Sequence, residues 1–177
     1  MSLSTRSKKL PLRQLITFAL LGVIMFLSKI LMEVLPNVHL LGALTITYTL
    51  VYRWKALIPI YIYVLLNGLF AGFNAWWVPY LYIWTILWAI TMLLPKKMPR
   101  AVACVIYPLL CGLHGLLYGI LYAPAQALMF GMNFQQMLVW ISAGFTFDLI
   151  HAVGNVVAGL LIYPLSETLK KLEARYK

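Results

Sequence analysis

The sequence predicts an all-α integral membrane protein: a bundle of six transmembrane helices with both termini on the cytoplasmic side. Three observations carry that expectation. Of 177 residues, 63% are hydrophobic and 10% charged, against about 45–50% apolar and roughly 25% charged in a soluble domain. The apolar residues fall in runs separated by short basic or Pro- and Gly-containing connections. The 14 Lys and Arg residues recur at alternate connections, the pattern that sets orientation in a bilayer.

The same numbers exclude other classes. Disordered chains lack this aliphatic and aromatic load. A formal charge of +10 on a soluble chain would point to nucleic acid. Here the basic residues sit between apolar runs, where they read as topology determinants and contacts to anionic lipid, and no nucleic-acid partner is expected. Cys104 and Cys111 lie seven apart in one apolar run, on one helix face but about two turns from each other, so they read as packing residues.

Residues 1–177 read as a single membrane domain, with a basic cytoplasmic segment (1–13), a six-helix bundle (14–165) and a basic cytoplasmic tail (166–177). The opening segment resembles a signal-peptide start. The apolar run after it is too long for a signal-peptide core, and no small-residue cleavage site ends it, so a retained helix is expected over Leu15 to Leu35. Pro36-Asn37 breaks it. A second run spans Val38 to Tyr52, before Arg53-Trp54-Lys55, and a third Ala56 to Phe70. Both are short for a roughly 20-residue crossing, so tilt, a kink or partial emergence is expected. A fourth runs from Trp76-Trp77 to Leu94, a fifth from Ala101 to Tyr122 and a sixth from Met137 to Tyr163. The tract 123–136, apolar but interrupted by Pro124, Gly131 and Asn133, reads as a lid, a short helix or a plain connector.

With the amino terminus inside, the inner connections hold Arg6, Lys8, Lys9 and Arg13, then Arg53 and Lys55, then Lys96, Lys97 and Arg100, and finally Lys170, Lys171, Arg175 and Lys177. The outer connections hold none. Lys29 is left over, inside the first helix. The chain is thus expected in the cell membrane as a multi-pass protein.

Polar groups inside the runs are few, and each is costly unless it faces protein or water. Lys29 and Glu33, four apart, read either as a helix-surface ion pair or as a charged pair at a pocket mouth. Asp148, His151 and Asn155 share one face of the sixth helix by their spacing of three and four. They read as substrate-facing groups or as interhelix hydrogen bonders. His114 on the fifth helix either joins them or is a satisfied interior histidine. A catalytic His114/Asp148/His151 cluster is an alternative, although no HExxH or CxxC pair and no Gly-rich phosphate loop is present. No cofactor is implied. Aromatic residues crowd the connection from Phe70 to Trp84. Trp76, Trp77, Tyr80 and Trp84, with Asn74 among them, read as an interfacial belt or as walls for a planar heterocycle.

The chain resembles the substrate-binding (S) component of energy-coupling factor (ECF) transporters in its length of 177 residues, its six expected spans and its aromatic outer face. Locally the likeness is greatest at Leu35-Pro36-Asn37, the Trp- and Tyr-rich connection and the polar sixth helix. The resemblance implies a vitamin-type solute captured from outside, and no catalysis by this chain. It also implies docking on a membrane coupling subunit driven by two cytoplasmic ATPases. Small residues four apart on the first helix mediate that docking in the family; here Ala19 and Gly22 are three apart. Metal-specific relatives carry a histidine after the initiator, whereas this chain has Ser2 and Leu3, so an organic micronutrient is implied. The remaining alternative is a structural membrane subunit.

Overall fold

The computed structural model describes residues 10–34 and 38–175. Expectations resting on Ser2, Leu3, Arg6, Lys8, Lys9, Leu35, Pro36, Asn37 and Lys177 lie outside those residues. The described chain forms helices α1 (Leu12–Leu31), α2 (Leu41–Tyr52), α3 (Leu57–Ala71), α4 (Tyr80–Leu93), α5 (Arg100–Leu116), α6 (Tyr118–Phe130), α7 (Phe134–Gly159) and α8 (Ile162–Arg175). Short 3-10 turns occupy Arg53–Ala56 and Ala75–Trp77, and the described residues contain no strand. Five stretches are long and apolar enough to cross a membrane: Leu12–Leu31, Leu41–Ala71, Ala75–Leu93, Arg100–Phe130 and Phe134–Gly159. Their outward faces expose Leu20, Leu27, Leu109, Val139 and Val153, the surface a helical bundle presents to lipid.

The stretch Leu41–Ala71 is not one rod. Arg53 adopts φ 55 and ψ −125, a backbone region that side-chain-bearing residues rarely occupy. On either side of it the helices share α4 but otherwise find different main neighbours: α2 packs on α8 and α5, and α3 on α1. Hydrogen bonds gather several helix termini at this turn. Arg13 pairs with Glu173 at 3.0 Å, the Tyr52 hydroxyl donates to the same carboxylate, Lys55 donates to Gln14, and Arg53 donates to the Met92 carbonyl. This is the basic end of the bundle. At the aromatic end the Tyr122 hydroxyl donates to the Trp76 carbonyl, and Trp77 Nε1 to the Val64 carbonyl.

The second expected run is short for a reason other than tilt. Every residue from Leu41 to Thr49 in α2 is buried, so this helix is solvated by protein and not by lipid. It divides two apolar cores. Leu41, Leu44 and Tyr48 join Phe18, Met25, Tyr63 and Trp84 on one side. Ala43 and Ile46 join Leu87, Tyr107, Cys111 and Ile162 on the other.

At the far end of the chain one expectation is met in part and one is corrected. Of the readings of the tract 123–136, the short helix holds for its first half. The bond from the Leu121 amide to the Leu117 carbonyl carries the fifth run on as α6, through Pro124 to Phe130. Gly131, at φ 64, ends it in the left-handed cap that glycine tolerates. Asn133 and Gln136 then form a capping box that starts α7. The sixth run does not reach Tyr163 as one helix: α7 ends at Gly159, and the expected tail from 166 belongs to α8, which buries Ile162 and Ser166 against the bundle. At 26 residues, α7 is about 39 Å long, more than the roughly 30 Å hydrocarbon layer.

Candidate functional site

The site is built where α5, α6 and α7 pass closest to one another. Gly112, Gly115 and Gly119 lie at spacings of three and four and so share a face. A Cβ on Gly115 would stand 2.9 Å from the His151 carbonyl oxygen, and one on Gly119 would strike the Asp148 carboxylate. Small residues let two backbones approach this closely. The approach carries Asp148, His151 and Asn155, all buried, into the protein interior.

Asp148 has a definite task there. Its Oδ1 accepts the Gly119 amide at 3.1 Å. Gly119 is the second residue of α6, where backbone N–H groups have no partner within the helix. The carboxylate thus caps α6 from across the interface, and an anion there also complements the helix dipole. No hydrogen bond among the described residues joins Asp148 to His114 or His151, so the three do not form a relay. No group of three or more His, Cys, Asp or Glu side chains among the described residues is arranged to hold a metal ion.

Instead, the histidines belong to an aromatic cluster around Trp84 and Tyr118. All three histidines of the chain are in it. The His39 ring lies 4.6 Å from that of His151 and 6.3 Å from that of Trp84. His114 is 5.7 Å from Trp84, and His151 is 4.8 Å from Tyr118. Tyr63 and Tyr80 flank Trp84 at 6.0 and 5.9 Å. Trp84 itself is 1% exposed. His39, between α1 and α2, is pushed down to about 3 by burial first and by the facing His151 second, so it is neutral at ordinary pH.

The cluster is rich in polar atoms with no partner among the described residues. They include His39 Nδ1, His114 Nδ1, His151 Nε2, Trp84 Nε1 and both amide atoms of Asn155; Tyr63 Oη and both side-chain atoms of Asn67 on α3 are buried in the same condition. Folded proteins pair the great majority of such atoms, because each one left alone costs about 1–3 kcal/mol. These atoms are concentrated around one ring system. His114 Nε2 has a 3.4 Å contact to the Ile83 carbonyl, which fixes the ring while Nδ1 remains available.

Above Tyr118 a cleft of about 450 Å³ opens at the aromatic end, lined by Trp76, Tyr118, Tyr122, Gln126, Phe130 and Trp140. Tyr122 and Trp140 are stacked, with centroids 5.9 Å apart and planes 17° from parallel. Tyr118 belongs to both cleft and cluster, so the rings continue from the surface into the histidines. The volume falls within the roughly 300–1,000 Å³ of small-molecule sites.

The structure sorts the expected site residues. Trp76, Tyr80, Trp84, His114 and His151 meet in the ring system, and Asn155 lies beneath it against Gly115 and Gly42. Asn74 does not join them; it is exposed in the turn before Ala75–Trp77, where its carbonyl accepts the Trp77 amide. Trp77 is turned away as well, because its indole is held by Val64 and its ring packs on Phe73 at 4.9 Å. Lys29 and Glu33 form no ion pair: α1 ends at Leu31, so Glu33 has left the helical register that would bring the two together. Gly22 packs within the chain, close under Ile62 and Pro59 of α3, while Ala19 is exposed. The two do not make one outward face.

Sequence reasoning missed His39, Tyr63, Asn67, Tyr118, Tyr122, Gln126 and Trp140. Tyr118 and Tyr122 did carry a signal, being four apart and in line with His114 on one helical face. No protein-family model, curated protein or solved structure matches this chain.

Proposed function

We propose that this chain is a membrane-embedded binding subunit that takes up a planar heterocyclic micronutrient at its aromatic end. In this reading α1, α2, α3, α4, the α5–α6 rod and α7 make six crossings. Lys and Arg at the other end support a cytoplasmic position for both termini. The single observation that carries it is the juxtaposition of an aromatic cleft with unpartnered buried groups on His39, Trp84, His114 and His151. Rings can stack on a flat solute while imidazole and indole nitrogens bond its edges. The chain binds and releases without catalysis. Its likeness to ECF S components supports a partner arrangement of one membrane coupling subunit and two cytoplasmic ATPases, which supply the energy for uptake.

The test is mass spectrometry of small molecules that co-purify with the detergent-solubilised protein, followed by thermal-shift titration with thiamin-, flavin- and pterin-like compounds. One solute per chain is expected, with no turnover. Tyr122→Ala and Trp140→Ala, at the half-open cleft, should each weaken affinity about 3–10-fold by loss of one stacking partner while the variants stay folded. A chain that binds none of these compounds, or that binds them equally well without Tyr122 and Trp140, would end this reading.

A further inference from the structure

A second cavity, larger than the aromatic cleft, lies at the opposite end. It measures about 680 Å³, and its lining includes Arg53, Lys55, Lys96 and Lys170 with Trp54 and Glu173. Four cations therefore face one acid. That acid is already engaged, since Glu173 accepts from both Arg13 and Tyr52. Lys170 pairs with Glu167 and Lys55 donates to Gln14, whereas Lys96 extends from the exposed connection between α4 and α5.

Arg53 is the most constrained of these cations. Its φ of 55 is the one positive value outside glycine among the described residues, and such backbone strain persists where the surroundings over-determine it. Here Trp88 Nε1 donates to the Arg53 carbonyl, and Arg53 Nη2 donates to the Met92 carbonyl at 2.7 Å. The guanidinium is thereby fixed. Its Nε and Nη1 are buried and have no partner among the described residues. Together they carry three N–H donors on a group that is charged at every ordinary pH. A half-buried cation with shielded, unpaired donors favours an anion with several acceptor oxygens.

Trp54 sets the depth. It is 62% exposed beside this cavity, with Lys55 Nζ 5.8 Å from its ring centroid, and tryptophan on a membrane protein favours the headgroup layer. We propose that this cavity binds a phosphate ester, with Arg53 as the specific contact and Lys55, Lys96 and Lys170 as the surrounding positive field. The phosphate comes either from the headgroup of an anionic phospholipid or from a soluble phosphate compound. The assignment does not depend on what occupies the aromatic cleft.

The experiment uses the full chain, delipidated in neutral detergent, and reads thermal unfolding and native mass spectra against three additives: phosphatidylglycerol, phosphatidylcholine and inorganic phosphate. Saturable stabilisation by phosphatidylglycerol alone assigns the site to a lipid headgroup. Stabilisation by millimolar inorganic phosphate as well assigns it to phosphate from solution. Arg53→Gln should weaken the response roughly tenfold, the effect of losing hydrogen bonds to a charged group. Lys96→Gln, at an exposed position outside the helices, should fold normally and weaken it about fivefold. The proposal is overturned if neither phosphate compound stabilises the wild type, if phosphatidylcholine does so equally, or if folded Lys96→Gln responds as the wild type does.

Discussion

Asp148 shows how a single carboxylate can be held inside a membrane bundle by a helix terminus. It is 6% exposed, and its Oδ1 meets the Gly119 amide that α6 cannot satisfy by itself. An acceptor is needed there; a charge is less essential. Asp148→Asn keeps a carbonyl oxygen in place and should leave thermal stability within about 1 kcal/mol of the wild type. Asp148→Ala strands a buried N–H and should lower stability by about 1–3 kcal/mol. Chemical denaturation in detergent would separate the two, and equal losses would show that the negative charge itself is required. The nitrogens His39 Nδ1, His114 Nδ1 and His151 Nε2 are the contrasting case, buried atoms with no hydrogen-bond partner among the described residues.

Among the elements, the α5–α6 rod against α7 and α1 against α3 are both closed by glycine, but they differ in what they support. Gly115 stands under His151 and Asn155, whereas Gly22 stands under Ile62 and Pro59, away from the cleft. A branched side chain at either position forces the helices apart, with a destabilisation of about 1–3 kcal/mol. Gly115→Val should also displace His151 and weaken solute binding by an order of magnitude or more. Gly22→Val should lower the melting temperature with affinity retained. Binding isotherms run beside melting curves would reveal the split. Loss of affinity in both variants would mean that α1 and α3 also shape the cleft. At this scale the continuation of α5 into α6 was hidden because Pro124, Gly131 and Asn133 punctuate the tract like a loop. Inside a membrane bundle a proline forfeits one backbone bond and neighbouring helices make good the loss, so only Gly131 and Asn133 are true boundaries. The end of α7 was hidden for the opposite reason: the apolar run continues across the break at Leu160-Leu161 without any polar marker.

For the whole molecule, the two ends differ in chemistry. Arg53, Lys55, Lys96 and Lys170 surround one cavity, and Trp76, Tyr118, Tyr122 and Trp140 surround the other. The charge asymmetry predicts that the basic end faces the cytoplasm. Single cysteines introduced in a Cys104→Ser, Cys111→Ala background test this directly. Lys97→Cys should react with a membrane-impermeant maleimide only after permeabilisation, and Asn133→Cys should react in intact cells. The reverse labelling would invert the orientation and place the cleft inside.

What the sequence determined by itself was the solvent and the element type. The apolar runs require lipid and helices, because a backbone in hydrocarbon must satisfy its own hydrogen bonds, and the basic clusters mark one end through local charge alone. The inward stripe of Asp148, His151 and Asn155 was also legible, since spacing on a helix is a local property. Which residues that stripe would meet was decided by the tertiary structure. His39 reaches His151 across more than a hundred residues of chain, short α2 becomes the enclosed centre, and Trp77 turns to Val64 while Trp84 turns to the histidines. Helical periodicity names a face, but the neighbour of that face depends on how the other helices pack, and no local pattern in the chain encodes that choice.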